Sequence, residues 1–152
     1  MNKKGVTLLE LIIVFVIIAI MAAFILPGIG SNWLPRYRLR SATRDIVSTM
    51  RTAQMRAISL NYPSGCQVNF TAGSSYILQH NTGGLTINDG VAQSLPSGIT
   101  ISTGNLPNAI AVFFPNSTCS SGSITLSYQK NGVTMEQKGI SLSPATGKIT
   151  IQ

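Results

Sequence analysis

Acidic residues are nearly missing from this chain of 152 residues: Asp and Glu total 4 against 11 Lys and Arg, and His80 is the single histidine. A nucleophile needs a positioned base, and only His80 and the four acids could serve as one. Hydrolytic, redox and metal chemistry therefore start from poor material, so no catalytic residue, cofactor or metal site is assigned, and His80 is expected at a strand end facing solvent. Charge of either sign is also sparse, at 10% of residues against about 25% in ordinary soluble domains. That excludes a coiled coil, whose flanking positions need charges. A disordered tail combines high charge with few apolar residues, whereas 44% of this chain is hydrophobic. Ser, Thr, Asn, Gln and Gly stand where charges would be. The length suits one domain of ordinary size plus an appendage.

The charge that is present is concentrated. Arg36, Arg38, Arg40, Arg44, Arg51 and Arg56, offset only by Asp45, give residues 36–56 a net charge of +5 out of the total of +7. They follow an apolar start. Leu11 to Pro35 contains no charge, and Val6 to Leu26 is a run of 21 residues interrupted only by Thr7 and Glu10. About 20 apolar residues suffice for a membrane-crossing helix. An ordinary secretory signal would want a small-x-small site after the run; the best matches, Ile20-Met21-Ala22 and Met21-Ala22-Ala23, are not Ala-x-Ala. Glu10 is the odd residue, since a carboxylate inside a span costs about 2.5–3.5 kcal/mol on insertion scales and calls for a partner. Either Lys3 or Lys4 reaches back to it, or the partner is an amine from another chain.

The segment Lys3-Lys4-Gly5-Val6-Thr7-Leu8-Leu9-Glu10-Leu11 resembles the leader and mature start of type IV pilins and type II secretion pseudopilins. The resemblance implies that a prepilin peptidase cuts between Gly5 and Val6 and that the new N-terminus at Val6 is methylated. Glu10 then falls at the fifth mature position, where the family has its glutamate, and Pro27 at the twenty-second, where a helix-kinking proline is frequent. The family usually begins with Phe or Met where this chain has Val6.

Pro27 lacks an amide donor, and Gly28 and Gly30 add backbone freedom, so the helix is expected to bend or loosen over residues 27–35. Trp33 and Tyr37 suit interfacial anchors. A second helical pattern then begins. Leu39, Ala42, Ile46, Met50, Ala53, Ala57 and Leu60 step by three or four and form one apolar stripe. The turn chemistry of Asn61-Tyr62-Pro63-Ser64-Gly65 ends it. Arg36, Arg40 and Arg44 share a helix face. That face is either solvated and headgroup-touching or a contact for lipid phosphate, a neighbouring subunit or DNA.

Beyond residue 62 the pattern is all β. Strands are expected at Cys66–Phe70, Tyr76–Gln79, Leu85–Ile87, Ile99–Ser102, Ala109–Phe114, Ile124–Lys130, Val133–Leu142 and Lys148–Ile151. Asn131-Gly132 between two of them is a strong hairpin signal. The fold class expected is α+β: a long N-terminal helix, transmembrane then amphipathic, followed by a small antiparallel β-sandwich-like domain. The parts are a leader at 1–5, an assembly helix at 6–35, an amphipathic half-helix packed on the globular domain at 36–62 and a periplasmic domain at 63–152. This order, with the terminal Ser-Pro-Ala-Thr-Gly-Lys-Ile-Thr element, is similar to the FimT/GspH subgroup of minor pilins and pseudopilins. Some of that subgroup bind DNA through Gly-Arg-x-Arg. The matching stretch here, Gly147-Lys148-Ile149-Thr150, has Lys148 for one arginine and threonine for the other.

The resemblance implies a structural or initiating filament subunit, with a DNA-uptake minor pilin as the alternative. Its implied partners are other major and minor pilins or pseudopilins, prepilin peptidase, the inner-membrane assembly platform and inner-membrane lipid. It also places the C-terminal domain in the periplasm. The count of cations around the apolar run points the other way, since two lysines precede it and more arginines follow. Cys66 and Cys119, the only cysteines, are either two buried thiols or, in an exported domain, a disulfide. The bridge is the expectation, closing a loop of about 54 residues worth roughly 4 kcal/mol in the chain-entropy model. If Gly5 marks the cut, Gly5→Val keeps the five-residue leader attached, and intact-mass spectrometry of membrane-purified chain reads this directly. A mature chain beginning at Ala22, Ala23 or Phe24 would instead identify an ordinary signal peptide.

Overall fold

The computed structural model describes residues 8–29, 33–71, 73–130 and 132–152. Gly5, Val6, Lys3 and Lys4 lie outside the described residues, as does Asn131 of the hairpin turn. The chain divides into two compact units, Met1–Pro35 and Arg36–Gln152.

The first unit is built on helix α1, Leu8–Ile29. β-branched and leucyl side chains alternate without any polar face, so no amphipathic stripe sets its orientation. Every described side chain, from Leu8 to Ala23, is exposed, and Glu10 in the first turn is the only charged residue of the helix. Pro27 lies in the last turn, and the helix runs two residues beyond it. Among the described residues no helix is long and apolar enough to cross a membrane.

The second unit combines most of helix α2, Trp33–Ser59, with nine strands: β1 Cys66–Thr71, β2 Ser75–Thr82, β3 Leu85–Asn88, β4 Gln93–Ser94, β5 Ile99–Thr103, β6 Ile110–Phe113, β7 Gly122–Lys130, β8 Val133–Ser143 and β9 Lys148–Ile151. All pairings among them are antiparallel. One sheet runs β3-β2-β1-β6 with β4 also on β2, and the other runs β5-β7-β8-β9. The β7–β8 hairpin closes with Lys130 opposite Val133, so only residues 131 and 132 connect the strands. Gly132 has φ +78, the left-handed conformation such a turn requires. The two-residue β4 was not anticipated, being too short to show alternation.

The core is shared between helix and sheets. Seven of its 21 residues come from α2: Leu39, Ala42, Ile46, Val47, Met50, Ala53 and Ala57. Val68, Phe70, Ala111 and Phe113 contribute from the first sheet, and Ile101, Ile124, Leu126 and Ile140 from the second. A core closed by two sheets alone, as in a β-sandwich, does not describe this arrangement, because a third of it is helical. Leu60, expected at the end of the stripe, is 57% exposed. The helix ends at Ser59, and Asn61 takes a positive φ of 48, which turns the chain out of helical register.

Phe113 is fully buried and is the largest side chain at the junction of β1 with β6. Truncating a buried Phe costs about 3–5 kcal/mol through lost transfer energy plus the cavity. Phe113→Ala is therefore expected to destabilise the second unit by that amount, measured by urea unfolding of the detergent-solubilised chain followed by circular dichroism.

Candidate functional site

A basic groove forms where α2 lies along the second sheet. Along β8, alternate residues share a face. Ile140 and Leu142 are buried in the core, so Lys138 and Glu136 continue the same inward row. Helix residues spaced by four meet this row. Arg36 Nε lies 3.4 Å from Glu136 Oε2, and one turn further on, Arg40 and Arg44 face Lys138. Arg40, Thr43, Arg44, Lys138 and Ile151 line a groove of about 240 Å³. Thr43 is buried and turned back on its own helix, its hydroxyl donating to the Leu39 carbonyl at 2.7 Å.

The acids are placed so that none neutralises this groove. Glu136 is taken by Arg36. Asp89 binds both Arg56, at 3.2 Å, and His80, at 2.8 Å. Asp45 follows Arg44 but lies about 100° further round the helix, on the side from which its charge reaches Tyr76. Among the described residues, Arg40, Arg44 and Lys138 therefore have no ion-pair partner.

The sequence offers Arg36, Arg40, Arg44 and Lys148 as contacts for a lipid headgroup, DNA or a neighbouring subunit. Arg40 and Arg44 stay together, Arg36 is paired, and Lys148 does not join them. In β9, Ile149 and Ile151 stand opposite Leu142 and Ile140, so by alternation Lys148 projects from the other face. Lys138 takes its place in the groove and carried no local signal, since it is one lysine in a β-hairpin. Gly147, which begins the Gly-Lys-Ile-Thr stretch, has a packing role of its own. It is buried with φ +61, a β-carbon there would collide with the Ser117 carbonyl, and its own carbonyl accepts from Gln54 Nε2 of α2 at 3.3 Å.

The residues with the most chemical potential are occupied structurally. His80 is not at a solvent-facing strand end: it lies within β2, stacks on Tyr62 with ring centroids 4.7 Å apart, and its side chain is 15% exposed. With Asp89 and Arg56 it ties the last turns of α2 to the first sheet. Among the described residues there is no group of three His, Cys, Asp or Glu that could hold a metal.

The expected Cys66–Cys119 disulfide is not formed. Both cysteines are buried and free. Phe113 pairs with Cys66 on one side and with Cys119 on the other, which places the cysteines two strand spacings apart, about 9.6 Å. A bridge needs α-carbons within about 7 Å, and the Phe113 side chain occupies the space between. Cys119 instead donates to the Ser143 carbonyl, with Sγ 3.3 Å from the oxygen. The cysteines therefore lend no support to export of this domain.

Burial raises the pKa of both thiols above 9.0, and for Cys66 the negative charge of Asp89 adds to the rise while Arg56 opposes it. A raised folded-state pKa means that the native chain holds its protons longer than the unfolded chain. The associated stability is complete below pH 9.0 and is lost as pH climbs from there through the folded values. Unfolding midpoints should thus fall above pH 9, and the Cys66→Ala/Cys119→Ala double variant should show a shallower decline. Thiol labelling of the denatured, unreduced chain should find two free cysteines.

Compared with known proteins, residues 1–26 match the family described as the prokaryotic N-terminal methylation motif. No curated protein and no solved structure matches the chain.

Proposed function

We infer that the chain is a type IV pilin-like precursor, membrane-anchored before it joins a filament, and that it is a minor pilin or minor pseudopilin with a structural or initiating role; support comes from its first 26 residues, which match the N-terminal methylation motif. The observation that carries this reading is Glu10 in the first turn of a helix that is apolar on every side. Such a helix belongs in a membrane or in a protein core. In this reading the whole run Val6–Leu26 inserts in the bacterial inner membrane, and the second unit lies in the periplasm before assembly.

The role is structural rather than catalytic. Support comes from His80 and Asp89, which are committed to holding α2 on its sheet, and from Cys66, which is fully buried. Its partners are other pilins or pseudopilins, prepilin peptidase and the assembly platform. Glu10 meets the methylated amine of Val6 from a neighbouring subunit. In a low-dielectric setting that pair offsets its desolvation only when both charges are present.

Glu10→Ala removes one of them. The variant should be processed and inserted as well as wild type, because losing a charge from a span eases insertion, yet it should fail to enter filaments. Cross-linking and filament co-purification at matched membrane levels read this, and incorporation equal to wild type would remove Glu10 as the assembly contact.

A further inference from the structure

We propose that the groove between α2 and the second sheet is a binding site for the phosphate of an anionic phospholipid headgroup, held by Arg40, Arg44 and Lys138. Three cations converge on a groove of about 240 Å³, and each available acid is engaged elsewhere or turned away from it. Like charges so close repel, and an anion between them reverses the sign of that interaction. Guanidinium groups four residues apart on one helix can both donate to a phosphate, and an ammonium from β8 closes the opposite wall. Ile151, 47% exposed, adds an apolar wall suited to the glycerol and upper acyl chain rather than to a bare ion.

The choice of lipid over other phosphates rests on chain order and composition. Arg40 follows Leu26, the end of the apolar run, by 14 residues, and exposed Leu34 and Tyr37 lie between them. Basic residues a few turns beyond an apolar span lie near the headgroups of the leaflet on their own side of the membrane, and the anionic lipids of that leaflet attract them within about a Debye length. DNA is the less favoured occupant: the groove presents no aromatic surface for bases, and Lys148 is on the other face of β9. The proposal rests on the membrane-anchored reading given above, and it deepens that reading by naming the lipid class and the residues that select it.

The test uses the full chain reconstituted into vesicles of phosphatidylcholine alone and into vesicles of equal phosphatidylcholine and phosphatidylglycerol. Retained lipid is then identified by native mass spectrometry. Each basic residue near an anionic surface contributes about five-fold in affinity. Wild type should retain phosphatidylglycerol preferentially, Lys138→Gln should reduce that preference about five-fold, and Arg40→Gln/Arg44→Gln/Lys138→Gln should abolish it. Arg51→Gln, on an exposed part of α2 outside the groove, should keep it, and circular dichroism should show all variants folded. An unchanged preference in the triple variant would overturn the proposal. So would protection of the groove by inorganic phosphate or a short DNA duplex in a wild-type chain that shows no phosphatidylglycerol preference. A chain that fails to insert even into phosphatidylcholine vesicles would overturn the anchoring reading itself, whereas one that inserts without lipid preference would overturn only the groove.

Discussion

The second unit depends on one packing constraint: the apolar stripe of α2 must lie against the inward faces of both sheets. Leu39, Ile46 and Met50 are fully buried, and together they fix the rotation of the helix about its own axis. Once that rotation is set, every other residue of the helix has a determined neighbourhood. Arg36, Arg40 and Arg44 flank the stripe on the side of β8, while Ser48, Thr49 and Thr52 flank it on the side of β2 and β4. The basic groove follows from hydrophobic packing, since no attraction draws its three cations together.

The scarcity of acids makes this placement consequential. In an ordinary surface a carboxylate would stand near each arginine and the groove would be neutral. Here Glu136 and Asp89 each hold an arginine near one end of the helix, 20 residues apart at Arg36 and Arg56. The pairs are unequal. Arg36–Glu136 is largely exposed and contributes little, whereas Asp89 is mostly buried and satisfied by two partners. The middle of the helix is left with cations that no acid in the second unit answers.

The same packing settles the fate of the reactive side chains. Cys66, Phe113 and Cys119 stand in one cross-strand row, so the two thiols are separated by an aromatic side chain that the core requires. His80 is drawn against Tyr62 and Asp89. The two cysteines that suggest a disulfide in a bare sequence, and the single histidine, are thus consumed in closing the core and in pinning the helix to its sheet. What remains exposed among the described residues includes the apolar side chains of α1, the cationic groove and, on β3 and β8, both polar residues and apolar ones such as Leu85, Val133 and Met135.

Sequence alone determined the features that depend on neighbours along the chain. The apolar run with Glu10 in register, the helical stripe from Leu39 to Ala57, the turn after Ser59, the Asn-Gly hairpin and eight of the nine strands are all written in periods of 3.6 or two and in turn residues. Tertiary structure alone decided which of these elements touch. Lys138 lies 94 residues beyond Arg44, so its meeting with Arg40 and Arg44 has no local signature, nor does the pairing of Glu136 with Arg36. Cys66 and Cys119 looked suited to a bridge because loop length and compartment say nothing of strand order. The physical reason is common to all three: side-chain periodicity reports which face of an element is buried, but the partner across that face is chosen by the order of strands in the sheet and by the rotation of the helix laid upon it.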